Sequence, residues 1–123
     1  MTAPKYILIV DDEVVIRELL AEVFTLAGYR VGQVASAAAA KKLLDAERPD
    51  LLITDLQLEH SDGLTLIAEI KADHPDLPTL LLTGLLFDEE TVEARLRVKV
   101  SAYLPKTAPL KTITETVARL LGG

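Results

Sequence analysis

The sequence predicts a doubly wound α/β domain, a five-stranded parallel sheet with helices on both faces. Three observations carry this. The stretches Tyr6–Val10, Leu51 to Ile53 and Leu80 to Leu82 are uninterrupted apolar runs, the pattern of strands covered on both sides. Segments of helical period separate them. The connections are short and marked by Gly, Pro, Ser and Asp.

Taken in order, Tyr6–Val10 is the first strand. Ile16, Leu19, Leu20, Val23 and Ala27 then follow an i, i+3, i+4, i+7 spacing that predicts a helix, with Arg17, Glu18 and Glu22 facing away and Gly28 as its stop. Residues 29–34 mix Arg30, Gly32 and Gln33 with apolar positions and read as an edge strand. Ser36 caps a second helix through about Glu47, and Pro49 ends it. Leu51 to Ile53 is the third strand, and Asp62-Gly63 opens a third helix that runs to His74 before Pro75. Leu80 to Leu82 is the fourth strand, and Asp88 caps a fourth helix carrying Val92 and Leu96. Ala102, Tyr103 and Leu104 form a short fifth strand that meets Pro105, tolerated at a sheet edge. Pro109 suits the first turn of a fifth helix whose Leu110, Ile113, Val117, Leu120 and Leu121 share a face. Edges at strands two and five give the order 2-1-3-4-5. No linker or repeat interrupts the chain, so residues 1–123 read as one domain.

Composition narrows the function. Half of the 123 residues are hydrophobic, enough for a core without crosslinks. With no cysteine there is no disulfide, thiolate metal site or thiol nucleophile, which fits a reducing, cytoplasmic setting. No signal-peptide pattern and no apolar run of membrane-spanning length is present. A net charge of −6 and 4% aromatics argue against direct nucleic-acid binding.

In open α/β sheets, ligands bind beyond the carboxyl ends of the strands. Asp11 and Asp12 follow strand one, Asp55 follows strand three, Thr83 follows strand four and Lys106 follows strand five. In the predicted order these five converge. Each has a bland reading by itself, an aspartate as a turn or cap residue, Lys106 as a solvated charge. The set of five at neighbouring strand ends is not explained that way. Clustered carboxylates repel one another and raise each other's pKa unless a cation intervenes. Oxygen-only donors favour Mg²⁺, which leaves room for phosphate oxygens. Lys106 and the Thr83 hydroxyl could then hold a phosphoryl group, and Asp55, standing apart from the acidic pair, is the candidate nucleophile. The turn after strand one is acidic where a nucleotide-binding domain has glycines, so it would repel phosphate without a metal.

Along essentially its whole length the chain resembles the receiver domain of bacterial response regulators. The resemblance rests on Asp11-Asp12, Asp55, Asp62-Gly63, Thr83, and Tyr103 three residues before Lys106. It implies a flavodoxin-like fold and a phosphorylation-dependent switch in two-component signalling. Asp55 would accept a phosphoryl group from a histidine of a sensor kinase or phosphotransfer protein in a self-catalysed reaction. Asp12, Asp55 and the backbone carbonyl of Gln57 would ligate Mg²⁺, with Asp11 acting through water. Lys106 would pair with the phosphoryl oxygens, Thr83 would move toward them and Tyr103 would turn inward. That movement would remodel the face of the fourth helix, fifth strand and fifth helix, where a downstream effector, a fused output domain or a second copy would bind.

The chain departs from the family pattern in places. Thr107 stands where proline usually follows the lysine, so a trans Lys106–Thr107 bond is expected. Glu59 replaces a common proline and loosens the following loop. Apolar Leu85 cannot position an attacking water, which predicts slow self-dephosphorylation. His60 and His74 read as surface residues, and the basic stretch Arg95 to Lys99 as a solvated helix face. Glu13 is expected to open the first helix, its charge suited to the positive dipole end. The main alternative is a pseudo-receiver that binds partners without phosphorylation. A haloacid-dehalogenase-type phosphatase would need an acid two residues after Asp55, where Gln57 stands.

Overall fold

The computed structural model describes residues 3–55, 57–58, 61–83 and 100–122. Its strands are β1 (Tyr6–Val10), β2 (Arg30–Val34), β3 (Leu51–Thr54), β4 (Gln57–Leu58), β5 (Ser61–Asp62), β6 (Thr79–Thr83) and β7 (Ala102–Pro105). The described helices are α1 (Val14–Leu26), α2 (Ala37–Ala46), α3 (Gly63–Asp73) and α4 (Leu110–Leu120). The main sheet is parallel throughout, in the order β2-β1-β3-β6-β7. This is the predicted 2-1-3-4-5 arrangement with both predicted edges. The predicted fourth helix, with Asp88, Val92, Leu96 and the basic stretch Arg95 to Lys99, lies outside the described residues, as do Glu59, His60 and Leu85. A two-stranded antiparallel hairpin, β4 with β5, was not anticipated.

Alternation along each central strand divides the core in two. Ile7, Ile9, Leu51, Ile53, Leu80 and Leu82 meet Leu20, Ala21 and Phe24 of α1 and Ile113 and Val117 of α4. Leu8, Val10 and Leu52 meet Ala40 and Leu44 of α2 and Leu66 and Ile70 of α3. A strand with apolar residues at every position therefore serves both layers, which is why the central runs lack polar alternation. β2, covered less, shows the mixed pattern of an edge. Among the described residues no helix is long and apolar enough to cross a membrane.

Two helix faces differ from expectation. On α1 the buried line is Leu20, Ala21 and Phe24 with Ile16 packed against it, while Leu19 is 41% exposed and Ala27 is exposed. The helix is apolar nearly all round, so its period leaves the face open, and burial of the bulky Phe24 ring against the sheet decides it. Pro109 sits one position before α4 as its N-cap, and Leu110, expected on the core face, is 39% exposed. Ser36 does cap α2, its Oγ accepting from the Ala39 N–H at 3.2 Å.

A carboxylate cluster held by one lysine

The first acid is fixed by backbone on both sides. The Asp11 N–H donates to the Val34 carbonyl of β2 at 3.1 Å, continuing the sheet's ladder by one residue. Its carbonyl accepts from Arg17 Nη1 at 2.9 Å, and Arg17 Nε reaches Gln33 Oε1 at 3.3 Å. Arg17, expected only to face away from the core, thus ties α1 to the end of β1. The Asp11 carboxylate turns back on the following residues, its Oδ1 accepting the Glu13 N–H at 2.9 Å. This local turn leaves Asp12 beside it, partly exposed.

Asp55 arrives from the end of β3, the strand beside β1, and is buried. One carboxylate oxygen each from Asp11, Asp12 and Asp55 lies within 4.8 Å of the others. Lys106 arrives from the end of β7, two strands away across β6. Its Nζ lies 2.8 Å from Asp55 Oδ2, 3.0 Å from each oxygen of Asp11 and 2.9 Å from Glu13 Oε1. The Lys106–Thr107 bond is trans, as expected, and the turn closes with the Ala108 N–H donating to Pro105 O at 3.0 Å. Of the other candidates, the backbone of Thr83 ends β6 in register with Pro105, and Gln57 begins β4, but their side chains lie outside what is described. Tyr103 lies in the edge strand β7, partly buried, in register with Leu81. His74 stands just past α3, partly exposed and away from the cluster. Glu13 takes its expected place at the N-cap of α1, yet its side chain makes no cap hydrogen bond and goes to Lys106 instead. Sequence reasoning missed this contact.

The electrostatics follow from burial. Removal from water pushes the Asp11 carboxyl above the usual aspartate range and the Asp55 charge adds to the push, while the Glu13 N–H and Lys106 oppose it. Burial alone would lower the Lys106 pKa, but hydrogen bonds to Asp55, Glu13 and Asp11 outweigh it and raise the lysine above its ordinary value. Lys106 is therefore firmly cationic, and it meets the carboxylates of Asp11, Glu13 and Asp55. The donor set is all oxygen and in negative excess, which fits a hard divalent cation, Mg²⁺ above softer metals.

Comparison with known proteins accords with this geometry. The family model described as the response regulator receiver domain matches residues 7–118. The transcriptional regulatory protein GlrR of Escherichia coli (strain K12) is 38% identical over 81 residues, 66% of this chain and 18% of GlrR. The response regulator MprA of Mycolicibacterium vanbaalenii is 32% identical over 118 residues, 96% of this chain and 51% of MprA. The chain thus spans about half or less of the length of these relatives. Among solved structures, the response regulator protein TrrA of Thermotoga maritima, in complex with Mg(2+)-BeF, superimposes with a TM-score of 0.83 at 29% identity, covering 94% of this chain and 98% of TrrA. By sequence, by strand order and by the acids gathered at its strand ends, this chain belongs to the response regulator receiver domain family.

Proposed function

We propose that this domain is a phosphorylation-dependent signalling switch whose phosphoacceptor is Asp55. The observation that carries the reading is the cluster itself, with Asp11, Asp12 and Asp55 carboxylates within 4.8 Å and Lys106 Nζ at 2.8 Å from Asp55. The donor is a phosphohistidine on a sensor kinase or phosphotransfer protein. An Asp55 carboxylate oxygen attacks phosphorus as the P–N bond breaks, and the electron pair of that bond returns to the imidazole. Asp12, Asp55 and the Gln57 backbone carbonyl would hold Mg²⁺, with Asp11 acting through water. When bound, the cation supplies charge neutralisation for the incoming phosphoryl oxygens. Lys106 pairs with those oxygens. Thr83 and Tyr103 respond to them and alter the face around β7 and α4 that a downstream effector, an output domain or a second copy reads. The setting is the cytoplasm, residues 1–123 act as one domain, and loss of the phosphoryl group is slow.

The test uses the wild-type chain with Mg²⁺ and acetyl phosphate, followed by intact-mass measurement. One added phosphoryl group is expected in the wild type and none in Asp55→Asn or without Mg²⁺. A wild type that binds Mg²⁺ yet gains no mass would refute the reading and favour a phosphorylation-independent interaction module.

A further inference from the structure

We infer that Glu13 is a resting-state latch, a positioning residue whose hydrogen bond to Lys106 competes with a phosphoryl group. This rests on the phosphoacceptor reading of Asp55. An ammonium has three donors. Here Lys106 meets three carboxylates, those of Asp11, Glu13 and Asp55, and its side chain is only 7% exposed, so no donor is left for a new oxygen.

The three partners are not equally replaceable. The Asp11 side chain is 4% exposed, and losing its cation would leave a buried charge short of compensation. Asp55 is itself the residue modified, and its modification returns one Lys106 donor to a first phosphoryl oxygen, so a second such oxygen must displace another partner. The Glu13 side chain is 59% exposed, so water can replace Lys106 there at small cost. Glu13 is therefore the partner that yields. It is also the N-cap of α1, and its carbonyl accepts the Arg17 N–H at 3.0 Å. Its release on phosphorylation would free a side chain at the start of α1, on the opposite side of the cluster from β7.

The experiment titrates beryllium trifluoride, a phosphoryl mimic, into the Mg²⁺-loaded full chain by calorimetry. Glu13→Gln is expected to bind it about two- to fivefold more tightly than wild type, the range for releasing one exposed ion pair. Glu18→Gln, one turn further along α1, controls for net charge. The comparison is made at low salt, because about 0.5 M NaCl weakens an exposed ion pair as well as through-space repulsion. In the metal-free protein, the Lys106 ammonium protons should exchange with water faster in Glu13→Gln than in wild type. A gain matched by Glu18→Gln, or no gain at all, overturns the latch while leaving the phosphoacceptor reading standing. Failure of the wild type to bind the mimic overturns both.

Discussion

Replacing Lys106 by methionine, of similar length, removes the cation and keeps most of the packing. It leaves the Asp11 and Asp55 side chains, 4% and 8% exposed, without the charge of the lysine that pairs with both. Removing one partner of a buried pair costs about 3–5 kcal/mol. A ceiling comes from protonation. A carboxylate of ordinary pKa can take up a proton at pH 7 for about 4 kcal/mol, so the folded state need not tolerate more than that. Glu13 is 59% exposed and adds little. The two estimates meet at about 3–4 kcal/mol of lost stability. The sign with pH is fixed by direction. The carboxylate left without its cation has a folded-state pKa above the unfolded one, as Asp11 does already. The variant is then least penalised below the unfolded carboxylate pKa, and the penalty grows as pH rises through the folded one. At pH 5 the protonation ceiling falls to about 1.5 kcal/mol. Urea unfolding of wild type and Lys106→Met in EDTA, at pH 7 and pH 5, reads both values. A loss under about 1 kcal/mol at pH 7, or an equal loss at the two pH values, would refute the reasoning.

Phe24→Ala empties the ring site between α1 and the sheet, where Phe24 is fully buried, and should cost about 3–5 kcal/mol by urea midpoint with an unchanged slope. Asp12→Ala should weaken Mg²⁺ binding at least about tenfold by calorimetry, with Glu22→Ala unchanged; equal affinities would remove Asp12 from the ligand set. The Arg30 guanidinium, paired with both Glu47 carboxylate oxygens at 2.6 and 2.8 Å, holds the Glu47 pKa below the usual glutamate value. This pair's contribution is present above the unfolded glutamate pKa and is lost as pH falls through the folded one. An NMR titration should show Glu47 returning toward ordinary titration in Arg30→Leu, and an unshifted Glu47 in wild type would contradict the pairing.

Much of the site was legible because each residue sits where a local pattern ends. Asp11, Asp12, Asp55 and Lys106 follow strands marked by apolar runs or a proline, and strand order then implies that they meet. Glu13 was legible as a helix opener and nothing more. Arg17 looked like one more outward charge, although its guanidinium holds the Asp11 carbonyl. Neither contact leaves a trace in periodicity, since both depend on where a long side chain lies once the loop has formed.

Local composition was enough for the strand types, the edges and the parallel order, because burial on one face or two writes itself into each strand's alternation. The face of α1 needed the sheet. α1 is apolar nearly all round, and burial of Phe24 in the core against the sheet goes with burial of Leu20 and Ala21 and leaves Leu19 outside. The hairpin of β4 and β5 likewise has too few residues for a period to reveal it. The sharpest case is Lys106 and Glu13, joined at 2.9 Å across 93 residues of sequence. That contact exists because β7, β6, β3 and β1 lie side by side and bring their ends together, a juxtaposition set by the whole sheet and by no single segment.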